Sequence, residues 1–222
     1  MERVFVNVWA IVPVKPLNRA KSRLAPVLHR ARREYLATAM LRHVVALLAR
    51  APEIAGVLVI SRDPHALSDA RALGAQTVQE SGAPELNDAL TRAAQVTRTL
   101  GATATLVLPA DLPLIAPEDV AGIVRLACEG GSVVLAPDRH EDGTNALLMR
   151  PPGVIPYAFG AGSFGQHLLL AEEAGAGVHV WQSPRVTLDV DTPDDLACYR
   201  ALAEELGEPL LLPELPELSP RG

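Results

Sequence analysis

The sequence predicts an α/β protein with a mainly parallel sheet and helices on both of its faces. Three observations carry that prediction. Short apolar runs alternate with amphipathic stretches along the first half of the chain, the pattern of strand–helix–strand units. The run Leu106-Val107-Leu108 is apolar without alternation, as a strand buried on both faces is, and it stops at Pro109, which cannot donate to a ladder. Finally, 222 residues of which 49% are hydrophobic suffice for a sizeable core. That length suits one large domain or two small ones. The expected organisation is a single domain over residues 1–206 and a proline-rich tail over 207–222.

Taken in order, residues 8–14 read as the first strand, with Pro13 at its end. Residues 15–24 break any periodicity. Residues 31–49 form an amphipathic helix, with Leu36, Met40, Val44, Leu47 and Leu48 near helical spacing; His43 within it reads as a surface or core-edge residue. A short strand at 57–60 precedes Asp63-Pro64, a cap followed by a first-turn proline. The helix they open runs to about Leu73, where Gly74 ends it, and residues 76–79 are a third strand. After a loop at 80–84, a helix spans 86–100 and a fourth strand 105–108. Ala116-Pro117 opens a helix ending near Cys128, before Gly130-Gly131.

The second half is less regular. Strands at 133–136 and 144–149 flank a polar loop, and Pro151, Pro152 and Pro156 exclude regular structure beyond them. A glycine-rich loop at 159–165 leads to a helix at 166–174. Strands follow at 178–181 and 186–190. Thr192-Pro193-Asp194-Asp195 caps a last helix of about 194–205. From Gly207 onward four prolines and no period predict a mobile or surface-draped tail.

Composition excludes several classes of function. A net charge of −6 argues against a polyanion surface, so no nucleic-acid partner is expected. No apolar run approaches the ~20 residues that span a bilayer. Cys128 and Cys198 are the only cysteines and show no CxxC spacing, so neither a disulfide framework nor a zinc site is indicated. The N-terminus has no basic lead-in and no small-residue cleavage site, and it reads as a strand rather than a signal peptide. A cytoplasmic protein is expected.

Acidic residues are the candidate chemistry. Asp111 follows the fourth strand on a turn stiffened by Pro109 and Pro113, at the carboxyl edge where ligands of open α/β sheets gather. An Asp there is also an ordinary turn former or cap. Asp189 and Asp191 close a second apolar run, two residues apart, on one face and about 6.6–7 Å apart, with Val190 on the other. Three such carboxylates suit magnesium held against a nucleoside triphosphate. Asp191 acting only as a helix cap is the alternative, which leaves Asp189 unexplained. Lys15, Arg19, Lys21 and Arg23, right after the first strand, suit phosphate binding, or else form a solvated basic loop. With no glycine, this is not a Walker loop.

Gly160-x-Gly162-x-x-Gly165 matches the dinucleotide fingerprint in letters, but its lead-in is broken by proline rather than formed by a strand. It suits a small anion held by exposed N–H groups near Ser163, where a helix begins, or a flexible loop with a serine cap. Thr144 and Asn145 are placed to add hydroxyl and amide contacts. The six histidines are scattered, and no Ser-His-Asp or Cys-His arrangement emerges. A substrate phosphate, already ionised with a second pKa near ~6, would serve as nucleophile without a general base.

The motifs Val12-Pro13-Val14-Lys15, Lys21-Ser22-Arg23-Leu24, Ala110-Asp111-Leu112-Pro113, Asp142-Gly143-Thr144-Asn145, Phe159-Gly160 with Ser163-Phe164, and Asp189-Val190-Asp191-Thr192-Pro193 occur together. The set resembles the guanylyltransferases of coenzyme F-420 biosynthesis, which act on phosphoenolpyruvate or 2-phospho-L-lactate. It is similar, more remotely, to molybdenum-cofactor and sugar-phosphate nucleotidyltransferases, whose glycine-rich signature after strand one is missing here. The resemblance implies a GT-A-like single domain that moves GMP from GTP to a small phosphorylated acid, releasing pyrophosphate. It implies that Asp111, Asp189 and Asp191 bind magnesium and that Thr144, Gly160 and Ser163 hold the acceptor. Lys15, Lys21 and Arg23 would hold the triphosphate, acting with Asp111 in catalysis. Guanine selection is expected around residues 82–88, with Gly82 and Asn87 the named candidates, and a homodimer is compatible with the family. The competing readings are another small-phosphate or sugar-phosphate transferase and a non-catalytic nucleotide-binding protein.

Overall fold

The first apolar run forms β1 (Val8–Val14), and its place in the sheet explains its composition. It pairs in parallel with β2 (Ile54–Ser61) on one side and β4 (Ala104–Val107) on the other. A strand bonded along both edges and covered on both faces has no side left for polar residues. The computed structural model that shows this describes residues 6–82, 85–127 and 130–212. Beyond β2 lies β3 (Gln76–Gln79), also parallel. On the far side of β4 comes β6 (Thr144–Arg150), antiparallel both to β4 and to β5 (Ser132–Pro137). The edge strand β7 (Gly177–Val180) runs parallel to β5. The order is β3-β2-β1-β4-β6-β5-β7, with β6 alone running against the rest. The short β5–β6 connection requires this, because parallel neighbours need a crossover of a dozen or more residues.

Side chains alternate across the sheet. Val8, Ala10 and Val12 pack beneath α1 (Arg30–Arg50), α2 (Pro64–Ala72) and α4 (Pro117–Leu126). Ile11, with Leu58 and Ile60, packs against α3 (Leu86–Thr99); Leu135 and Leu147 lie in the same layer with α5 (Ser163–Glu173). A third cluster stands apart from both layers. There Leu196 and Tyr199 of α6 (Pro193–Leu206) meet Leu36, Met40, Leu114, Leu188 and Val190.

The structure corrects the expectation of a strand at 186–190. Ser183 and Pro184 start a turn instead, with the amides of Val186 and Thr187 both donating to the Ser183 carbonyl at 3.1 and 3.0 Å. The chain then runs extended without a ladder partner, and Leu188 and Val190 bury themselves in the third cluster. Alternating burial needs only an extended chain beside a core. The helix expected from 166 begins at Ser163, because Gly162, at φ 67°, provides the left-handed N-cap. The helix expected to end near Cys128 ends at Leu126, and Cys128 lies outside the described residues. So do residues 1–5, Ala83 and Pro84 of the loop at 80–84, and residues 213–222 of the tail. The preceding tail residues lie on α6, where the Leu211 amide donates to the Tyr199 hydroxyl at 2.8 Å and Leu212 is buried. Among the described residues, no helix is long and apolar enough to cross a membrane.

Candidate active site

Asp111 stands on the loop after β4, between the core-anchored Leu108 and Leu112. Its carbonyl accepts the Val190 amide at 3.2 Å, which draws the second acidic segment alongside. With Leu188 and Val190 facing the third cluster, Asp189 and Asp191 turn the other way. One carboxylate oxygen from each of Asp111, Asp189 and Asp191 then lies within 4.8 Å of the others. Three oxygen donors at that separation suit a hard divalent cation.

Asp191 is not the cap of the helix that follows. Thr192 is, its hydroxyl accepting from the Asp195 amide at 3.3 Å. The buried Asp195 carboxylate returns the bond, accepting from the Thr192 amide at 2.7 Å and from the Asp191 amide at 3.1 Å. Arg139 neutralises Asp195 at 2.7 Å. The cap therefore fixes the backbone of Asp191 and leaves its carboxylate for other partners.

The partner present is Lys21. Its ammonium lies 2.8 Å from Asp111 and 2.8 Å from Asp191, and its side chain is 6% exposed. Two short 3-10 turns, Leu17–Arg19 and Ser22–Leu24, flank it and hold Lys21 itself in the left-handed region at φ 54°. Burial alone would lower the Lys21 pKa, but the two carboxylates raise it above its ordinary value. Asp191 shows the converse. Burial would raise it, but Lys21, with Lys15 and Arg23 farther off, brings it below the usual range. Asp189 has no such relief: burial and the nearby Asp111 charge push it up to about 6, with the Asn145 amide opposing. Lys15 and Arg23 are exposed, and with Lys21, Asp111 and Asp191 they line an open cleft of about 740 Å³.

The expected base-selecting residues lie at the start of α3 and just before it. Asn87 is engaged with the backbone of Phe159, donating to its carbonyl at 3.1 Å and accepting from its amide at 2.8 Å. It ties α3 to the glycine loop. Gly82, at φ 75°, gives its carbonyl to Arg62 at 3.0 Å. Among the described residues, the cleft wall on that side is formed by Glu80, Glu85 and Leu86.

Thr144, Gly160 and Ser163 come together at the other end of the site. The β5–β6 register slips by one residue, so that Pro137 pairs with Thr144 where Asn145 would be due. A bulge re-aims side chains in this way. Thr144 turns toward α5 and Ser163, whose hydroxyl bonds it at 3.3 Å. Asn145 turns toward the acidic segment, donating to the Val186 carbonyl at 2.9 Å and to Asp189 at 3.3 Å. The amides expected to hold an anion are engaged within the chain. Gly162 and Phe164 donate to the Asp142 carboxylate and carbonyl at 3.1 and 3.0 Å, and Ser163 donates to the Gly160 carbonyl at 3.2 Å. What the corner holds is the buried hydroxyl pair of Thr144 and Ser163. Sequence reasoning missed two supports of this site, Asp195 beneath Asp191 and the buried His167 beside Thr144. Asp195 carries a signal, the capping-box spacing from Thr192. His167 carries none.

Known proteins resemble this chain along most of its length. A phosphoenolpyruvate guanylyltransferase of Rubrobacter xylanophilus is 48% identical over 196 residues, covering 88% of this chain and 95% of that protein. A 2-phospho-L-lactate guanylyltransferase of Methanothermobacter thermautotrophicus is 38% identical over 187 residues, covering 84% of this chain and 81% of the relative. Among solved structures, a candidate nucleotide-diphospho-sugar transferase from Desulfovibrio desulfuricans G20 superposes with a TM-score of 0.72 at 18% identity, over 89% of this chain and 87% of that one. The fold is thus that of nucleotide-diphospho-sugar transferase-like nucleotidyltransferases. The family model described as guanylyl transferase CofC like matches residues 8–199. With the whole catalytic sheet inside that match, the chain belongs to the CofC-like guanylyl transferase family.

Proposed function

We propose that this protein transfers GMP from GTP to phosphoenolpyruvate, releasing pyrophosphate, as a step toward coenzyme F-420. The observation that carries the reading is the meeting of Asp111, Asp189 and Asp191 around Lys21 at the carboxyl edge of β4, beside a cationic loop. In the reaction, an oxygen of the acceptor phosphate attacks the α-phosphorus of GTP. The bond from that phosphorus to the β-bridging oxygen breaks, and pyrophosphate leaves with the electron pair. The nucleophile is ionised at neutral pH, so positioning and charge supply the catalysis.

Each group has a physical role in this reading. Lys15 and Arg23, exposed at the cleft mouth, meet the triphosphate first. Lys21 holds Asp111 and Asp191 at hydrogen-bond distance and offers its charge where negative charge grows at the phosphorus. Asp111, Asp189 and Asp191 would hold magnesium, which supplies charge neutralisation and alignment of the phosphates. Thr144 and Ser163, with the backbone at Gly160, receive the acceptor. Asn145 joins the halves of the site by bonding Asp189 from the residue next to Thr144. Phosphoenolpyruvate is favoured over 2-phospho-L-lactate because the relative at 48% identity carries that name, against 38% for the other. The reading includes a cytoplasmic location and a homodimer.

Pyrophosphate release tests this directly. The protein is mixed with magnesium and GTP, ATP or CTP, and with phosphoenolpyruvate, 2-phospho-L-lactate or 3-phosphoglycerate. Release is expected with GTP and phosphoenolpyruvate and should stop on chelation of the metal. Release with none of the acceptors would overturn the proposal.

A further inference from the structure

His167 is completely buried on α5 and plays no part in the chemistry above. Its two ring nitrogens have unlike partners. The Ala158 amide lies 3.1 Å from Nε2, and an amide N–H can only donate, so Nε2 accepts. The ring is then neutral with its proton on Nδ1. Burial agrees, since it lowers the His167 pKa to about 4. Nδ1 is 3.0 Å from the Thr144 hydroxyl oxygen, which must therefore accept from it. The Ser163 hydroxyl lies 3.3 Å from the same oxygen. A hydroxyl has two lone pairs and one proton. The Nδ1–H takes one lone pair, and with the Ser163 proton on the other, the Thr144 proton is left to give to a ligand.

The ring is itself held in place. Phe159 packs edge-on against it, centroids 5.0 Å apart at 71°, and Asn87 grips Phe159 through both backbone groups. A line of contacts thus runs from the start of α3 to the hydroxyl of Thr144.

We propose that His167 is a positioning residue for the acceptor, its Nδ1–H filling one lone pair of Thr144 so that the hydroxyl proton is turned to an anionic oxygen of the phosphorylated acid. The inference rests on the guanylyltransferase reading above. It assigns the buried imidazole to the acceptor half of the site and not to the nucleotide half.

Two substitutions separate this role from mere packing. In His167→Asn the side-chain amide nitrogen stands near the place of Nδ1 and can donate to Thr144, while the acceptor for Ala158 is lost. In His167→Gln the amide oxygen reaches the place of Nε2 and serves Ala158, while the donor to Thr144 is lost. Initial rates of pyrophosphate release are measured with the wild type's best acceptor among the three phosphates, varying acceptor and GTP in turn. For His167→Gln the acceptor KM is expected to rise by about tenfold or more, the effect of one hydrogen bond to a charged group, with the GTP KM within about twofold. His167→Asn should recover most of that loss. Equal effects of both variants, an unchanged acceptor KM in His167→Gln, or a matching change in the GTP KM would overturn the inference. A wild type inactive on all three acceptors would instead overturn the functional reading, and this inference with it.

Discussion

The ammonium of Lys21 sits 2.8 Å from two carboxylates that belong to segments 80 residues apart in the chain (191 − 111). Replacing it, as in Lys21→Met, leaves Asp111 and Asp191 facing each other without a cation. The rate of pyrophosphate release is expected to fall by about a hundredfold or more, the usual cost of losing a preorganised charge at a reacting centre. Asp189 presents the opposite situation. Its carboxyl titrates at about 6 in the folded protein against an ordinary 3.8. Between those values the folded state binds more protons than the unfolded one, so this group lowers stability as pH rises through the window. Above pH 6 the ionised carboxylate costs on the order of 3 kcal/mol. In a chelated sample at pH 8, Asp189→Asn should therefore melt at a higher temperature than the wild type while losing activity, and the gap should close by pH 4. A lower melting point at pH 8 would contradict this account. His167 has the reverse sign. Lowered from 6.5 to about 4, it contributes stability that is lost as pH falls through that interval.

At the level of elements, the strand–helix alternation through β4 was legible, because buried parallel strands and amphipathic helices leave unlike periodicities. The antiparallel direction of β6 was implicit in the short loop before it, though hydropathy alone is blind to direction. The segment at 186–190 misled for a definite reason. Val186, Leu188 and Val190 alternate as a strand would, but Val186 packs into the first core layer and Leu188 and Val190 into the third cluster, and the Val190 amide donates to the carbonyl of Asp111 rather than to a ladder. In the site, the three acids and the cationic loop could be read from the chain. His167 could not, and Asn145 was legible as a ligand contact but not as the brace of Asp189, since their partners lie 23 and 44 residues away and no local pattern marks such links. Asn145 is also where element and site meet. Asn145→Ala removes its bonds to Val186 and Asp189 and is expected to cost about 1–3 kcal/mol. It should weaken magnesium-dependent nucleotide binding, read by calorimetry, more than it disturbs acceptor binding.

Across the whole molecule, three packed clusters divide the labour. Two hold helices to the sheet, and the third mounts the acidic segment on α6. Because Leu212 and the Leu211 amide close that third cluster over Tyr199, ending the chain after Gly207 should loosen the site from a distance. The expected loss is about 2 kcal/mol from the uncovered leucine surface, measured by denaturant unfolding, with a weaker response of the melting temperature to magnesium and GTP. An unaltered response would show that the acids do not depend on this mounting. The bulge in β6 sets a length as well. Thr144 and Asn145 are joined by one peptide unit, ~3.8 Å between α-carbons, and one attends to the hydroxyl corner while the other braces Asp189. The gap between the two workplaces is thus a covalent gauge that loop motion cannot stretch. Acceptors should be sorted by reach, so that lengthening the span between carboxylate and phosphate by a single atom slows transfer even where every polar group is retained.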